Sequence, residues 1–117
     1  MKMKSGIQFK QGDILIVPFP FSDLKGLRQR PVLVISHDEY NEDCEDIITC
    51  GITSNLKDTR CSVLFNEDNL LEGKIPLKSR IKVDKLFTLE KSIVKKKIAR
   101  LDSECMKKVK KEFRELI

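Results

Sequence analysis

The sequence contains no tryptophan and only one histidine, His37, and one tyrosine. A lone histidine leaves little material for a histidine-rich metal centre, and no H-E-x-x-H motif is present. The four cysteines, Cys44, Cys50, Cys61 and Cys105, form no C-x-x-C pair. Structural zinc needs ligands clustered at short spacings, so neither a metal nor another cofactor is expected. Cys50 and Cys61 lie in apolar, strand-like contexts and read as small core residues rather than nucleophiles. Also missing are a glycine-rich phosphate loop, a G-x-S-x-G elbow and a calcium-loop pattern. No apolar stretch approaches the roughly 18 residues of a membrane span. The opening MKMKSGIQFKQGD is basic but has no apolar core, so it does not read as a secretory signal. The expectation is a cytoplasmic protein with no membrane partner.

What is present fits one domain over residues 1–117, with an N-terminal extension at 1–10 and a closing helix at 102–117. The 40% hydrophobic and 35% charged shares belong to a globular chain rather than a disordered one. Lys and Arg exceed Asp and Glu by 23 to 18, a formal charge of +5 that favours an anionic partner. A modest net charge also serves solubility, so charge alone does not choose a function.

The patterning points to many short strands followed by one helix. Ile14–Phe21 reads as a strand whose Pro18 and Pro20 cannot donate to a ladder, so its end should be an edge or leave the sheet. Arg30–Ser36 is nearly continuously apolar and β-branched, as in a strand covered on both faces. His37–Asp46 is acidic and polar and reads as a loop. Asp46–Thr53 and Cys61–Asn66 are two further strands, Asn69–Lys78 a loop around Gly73 and Pro76, and Ser79–Leu89 one or two strands. From Ser103 to Leu116, helical spacing puts Met106, Val109, Phe113 and Leu116 on one face. Asp102 is its N-cap and Leu101 can staple onto Met106. Short strands at this spacing suggest a mainly β small barrel with a C-terminal helix.

Candidate functional groups sit at strand ends. Arg30 opens an apolar strand after a turn-rich segment carrying Lys25 and Arg28, while Thr53, Ser54 and Asn55 close another. Lys82 and Asp84 are two residues apart and would share a face in a regular strand. The simpler readings are a surface ion pair for Arg30 and a turn-bonding hydroxyl for Thr53. Ser36-His37-Asp38 holds the residue types of a triad, but adjacent residues of an extended chain face opposite ways, and His37 reads as an exposed loop residue. The run Lys95-Lys96-Lys97 reads as a solvated face rather than a site.

Three segments, GDILIVPFPFSDLKGLRQRPVLVIS, GITSNL and IKVDKLFTLEKSIVKKKIARLD, resemble in sequence and order the PemK/MazF family of toxin endoribonucleases from toxin–antitoxin pairs. The resemblance implies an SH3-like small barrel with a C-terminal helix, acting as a homodimer. It implies metal-independent cleavage of single-stranded RNA, in which the ribose 2′-hydroxyl attacks the adjacent phosphate and leaves a 2′,3′-cyclic phosphate and a 5′-hydroxyl. The positions matching the family's catalytic pair are Arg30 and Thr53. A second branch uses an Arg and an Asp in the strand written here as IKVDK, where Asp84 matches and Lys82 replaces the Arg. That replacement trades a two-pronged guanidinium for a point charge on a flexible stem. Asp84 is the titratable candidate for a general base. Lys25, Arg28 and Lys82 would meet phosphates, Phe21 would stack a base, and Ser54 and Asn55 would complete the RNA-binding strand end. The implied protein partner is an antitoxin with a flexible acidic segment, and operator DNA would be bound only by the toxin–antitoxin complex. The alternative is a non-catalytic nucleic-acid-binding module on the same barrel; a metal-dependent nuclease is disfavoured by the lack of clustered ligands.

Overall fold

The structure, a computed structural model, describes residues 8–20 and 27–117. Seven strands make up one antiparallel sheet: β1 Asp13–Pro20, β2 Leu27–Val34, β3 Asp46–Thr53, β4 Ser62–Phe65, β5 Leu70–Gly73, β6 Ser79–Glu90 and β7 Lys96–Leu101. Two α-helices, α1 Asp38–Asp43 and α2 Ser103–Leu116, and two 3-10 turns, Glu67–Asn69 and Lys91–Ile93, complete the described elements. The strand order is β4-β6-β3-β2-β1-β7-β5, so β4 and β5 lie at the two ends of the sheet. Register shifts in the β1–β7, β3–β6 and β5–β7 ladders accompany the curl of this sheet into a half-barrel with the helix at its end.

Alternation along the central strands builds two cores from one sheet. Ile14, Leu33, Cys50 and Ile52 face one side and pack with Cys105, Met106 and Val109 of α2. Leu15, Val17, Val32, Val34 and Ile47 face the other side and pack with Phe9. This is the burial on both faces that the apolar run at 30–36 implies. Phe9, inside the expected N-terminal extension, is thus a core residue. The helix is as read: the Asp102 carboxylate accepts from the Cys105 N–H at 2.8 Å, and Leu101 and Met106 share one core cluster. Leu116 is the exception on its apolar face and is exposed.

Several expectations need correction. β2 starts at Leu27, inside the segment read as a turn, because Leu27–Arg30 pairs with Val17–Pro20 despite its polar sequence. The acidic stretch after β2 is not all loop: α1 occupies Asp38–Asp43, with exposed His37 as its N-cap, its Nδ1 accepting from the Glu39 N–H at 3.2 Å. Ser36 is buried and its hydroxyl bonds the Asn41 side chain, an anchor for α1 that leaves the Ser36-His37-Asp38 sequence no shared site. β5 lies in the expected loop at 69–78, and β7 takes in Lys96 and Lys97 of the lysine run. Ser79–Glu90 is one strand, within the expectation of one or two. Cys50 is fully buried as expected, but Cys61 is half-buried with φ 58, in the turn entering β4 rather than in a core.

The prolines behave as anticipated. β7 pairs with β1 only as far as Ile16, so Pro18 and Pro20 fall where β1 has β2 alone as a neighbour. The Gly12-Asp13 pair is structural. Asp13 is fully buried and accepts from Arg100 Nε at 2.7 Å, with Lys97 Nζ at 3.4 Å, and Glu72 joins both cations. Gly73 ends β5 at φ 83, where a Cβ would sit 2.2 Å from the Ile98 carbonyl oxygen. Only glycine lets β5 approach β7 this closely.

Candidate functional site

Where β2, β3 and β6 run side by side, the sheet carries an open groove of about 480 Å³. Its floor includes Pro31, Gly51 and Ile52, and its cationic lining is Arg30, Lys57, Lys82 and Lys85. Thr53, Asn55, Thr59 and Phe87 complete it. Among the described residues no carboxylate belongs to the lining, so the charge they bring to the groove is of one sign. Such a surface attracts an anion and, with a ring beside it, suits a polyanion that also carries flat bases.

The register explains how Arg30 and Thr53 meet. β2 and β3 pair Val32 with Gly51 and Leu33 with Cys50. Continuing that antiparallel sequence by two residues sets Arg30 across from Thr53, and residues directly across a ladder project from the same face. Both line the groove. The Thr53 hydroxyl accepts from the Asn55 N–H at 3.1 Å, and the Asn55 side chain accepts from the Lys57 N–H at 3.1 Å. The simple turn-bonding reading of Thr53 is therefore correct as far as it goes. Because its oxygen accepts within the turn, its single O–H proton remains available as a donor toward the groove.

Lys82 lies across from Gly51, and its Nζ is 2.6 Å from Thr59 Oγ1. The expected sharing of a face by Lys82 and Asp84 is corrected by a bulge. The ladder jumps from Gly51–Lys82 to Cys50–Leu86, leaving residues 83–85 without partners on β3. The period of two is broken there, and the groove receives Lys85 and not Asp84. Asp84 is exposed, and its charge is felt instead by the Cys50 thiol. Burial first, and Asp84 second, push that thiol up to about 12, so Cys50 stays protonated and inert. Arg80, two residues before Lys82, is buried and bonds Asp58 and Ser62 rather than lining the groove.

Of the other residues expected to bind RNA, Asn55 lines the groove, while Ser54 and Arg28 are exposed but outside its lining. Phe21 and Lys25 lie outside the described residues. Sequence reading missed Lys57, Thr59, Lys85 and Phe87. Lys57 and Thr59 had no signal beyond their place in a polar turn. Lys85 and Phe87 sit in a strand where regular alternation from Lys82 would have turned them away. Among the described residues no group of three or more His, Cys, Asp or Glu side chains could hold a metal ion, and no helix is long and apolar enough to cross a membrane.

A family model described as PemK-like, MazF-like toxin of type II toxin–antitoxin system matches residues 10–117. A search of curated proteins gives no significant match. Among solved structures, the chain is similar to a MazE–MazF crystal structure from Deinococcus radiodurans, with TM-score 0.76 and 19% identity over 94% of this chain and 96% of that one. It is similar to an endoribonuclease in complex with its cognate antitoxin from a mycobacterial species, with TM-score 0.75 and 15% identity over 91% of each chain. The Mycobacterium tuberculosis toxin MazF-mt6 has TM-score 0.70 and 16% identity over 88% of this chain and 93% of that one. At these identities the neighbours establish a shared fold.

Proposed function

Because the chain belongs to the PemK-like, MazF-like toxin family of type II toxin–antitoxin systems, we propose that its cationic groove cuts single-stranded RNA. The observation that carries this reading is that Arg30 and Thr53 line one groove which, among the described residues, has four cations and no carboxylate. A ribose 2′-oxygen attacks the adjacent phosphorus as its proton passes to solvent, the P–O5′ bond breaks, and O5′ takes a proton from solvent, so the products are a 2′,3′-cyclic phosphate and a 5′-hydroxyl. Negative charge grows on the non-bridging oxygens of the phosphorane. The Arg30 guanidinium stabilises that charge, and Thr53 donates its O–H to the same phosphate. Asp84 is outside the lining, and we assign it no part in proton transfer. Stabilisation of the phosphorane is the main source of rate in this scheme, since among the described residues no carboxylate or imidazole lines the groove.

Lys57, Lys82 and Lys85 bind flanking phosphates, and the half-buried Phe87 offers a ring face to a base. The same cations would receive an acidic antitoxin segment, in keeping with relatives crystallised with their cognate antitoxins. Such a segment competes with RNA and orders as it binds. Within this reading the protein acts as a homodimer and meets operator DNA only as a toxin–antitoxin complex. The chemistry is tested with an RNA carrying a single 2′-deoxynucleotide at a mapped cut site. Transesterification requires that this site alone stays intact; cleavage there at the unmodified rate would mean that water, not the ribose, is the nucleophile.

A further inference from the structure

Lys82 is a groove cation held in place by its neighbours. Its ammonium donates to Thr59 Oγ1 at 2.6 Å. Thr59 is fixed in turn by Ser62, whose hydroxyl donates to the Thr59 carbonyl at 2.6 Å and accepts from Arg80 Nη1 at 2.9 Å. The two hydroxyl oxygens are 3.4 Å apart. Arg80 anchors the far end: its side chain is 10% exposed and also reaches Asp58 at 3.3 Å.

Lys82 has only donors, so Thr59 Oγ1 accepts from it. The Ser62 proton is committed to the Thr59 carbonyl, so the Ser62 oxygen can only accept, and the Thr59 proton is left to turn toward it. The Lys82 ammonium, having given one N–H to Thr59, keeps two for a ligand in the groove. A lysine is normally a point charge on a flexible stem that must be ordered when it binds. Here the ordering is present before any ligand arrives.

The geometry points to Thr59 as a positioning residue: its hydroxyl holds the Lys82 ammonium as a fixed phosphate clamp in the groove of Arg30, with Ser62 and Arg80 holding Thr59. The inference rests on the reading of the groove as an RNA phosphate site and deepens it. It also gives a physical reason why a lysine suffices at a position where bidentate arginine would otherwise be needed.

A double-mutant cycle tests it, using the full chain and cleavage of a single-stranded RNA, with Thr59→Val, Lys82→Met and the double variant, each checked by thermal melting. Thr59→Val removes the hydroxyl and keeps the shape. It should lower kcat/KM about tenfold, Thr59→Ser should stay within about twofold of wild type, and Thr59→Val should add nothing once Lys82 is Met. Ser62→Ala, one step further out, should give a smaller loss that likewise vanishes in the Lys82→Met background. Equal losses from Thr59→Val in both backgrounds, or no loss in the wild-type background, would overturn the proposal. If the wild-type protein binds but does not cut RNA, the nuclease reading fails, and the same cycle read on the Kd for an uncleavable 2′-O-methyl RNA still decides whether residues 59 and 82 are coupled.

Discussion

The salt dependence of RNA binding follows from the groove lining. Each phosphate neutralised on a single strand releases condensed counterion and contributes a slope of about −0.7 to log K against log salt. Arg30, Lys57, Lys82 and Lys85 line the groove. Together they set a slope of about −2.8, or an affinity loss of about fifty-fold between 50 and 200 mM salt. The assay is fluorescence anisotropy of a labelled, uncleavable 2′-O-methyl RNA across that range. Cations elsewhere on this basic chain can steepen the total, so the deciding quantity is the change on removing one charge. Lys57→Ala and Lys85→Ala alter exposed side chains. Each should flatten the slope by about 0.7. Lys107→Ala and Lys110→Ala on α2 should leave it unchanged. An unaltered slope in the groove variants together with a flatter one in the helix variants would refute the placement of RNA in the groove.

Three further outcomes follow from the packing. Gly73→Ala should destabilise by about 1–3 kcal/mol through the positive φ alone, with the 2.2 Å approach to Ile98 adding to it, as read by urea unfolding. Asp13→Asn should cost about 3 kcal/mol by the same measurement, since it removes the buried carboxylate on which Arg100 and Lys97 converge. Burial pushes the Cys50 thiol up to about 12 and the Cys105 thiol up to about 11, from 9.0. Both contribute stability that is complete below pH 9 and lost as pH rises through those raised values, because the unfolded thiols ionise first. In the native protein a thiol reagent at pH 8 should label Cys44 and Cys61 well before Cys50 and Cys105, as peptide mass spectrometry would record; equal labelling rates would contradict the burial.

What the sequence revealed depended on whether one local pattern sufficed. Asp46–Thr53 and Ser103–Leu116 were legible to the residue, since each carries a full apolar period bounded by polar or capping residues. β7 was not, because Lys96 and Lys97 mask the alternation that buries Ala99 and Leu101. α1 has only six residues and buries only Asn41, so no apolar period marks it. β5 depends on a glycine that permits close approach to β7, a tertiary circumstance. At the site, Arg30 and Thr53 were visible as strand ends, and their likeness to a known pair singled them out. Their meeting across a ladder required the register. The bulge at 83–85 could not be read from alternating residue types, so nothing in the pattern pointed to Lys85 or Phe87. Thr59 and Lys57 looked like ordinary turn residues until the turn was seen to form a wall of the groove.

The central claim is that this groove cuts RNA through Arg30 without a metal. The direct measurement is incubation of a long single-stranded RNA in excess EDTA with the wild-type protein and with Arg30→Ala prepared identically and shown to be folded. Cutting at discrete sites by the wild type, with 2′,3′-cyclic phosphate ends, and intact RNA with the variant is the predicted result. RNA left intact by both, or cut equally by both, would contradict the account.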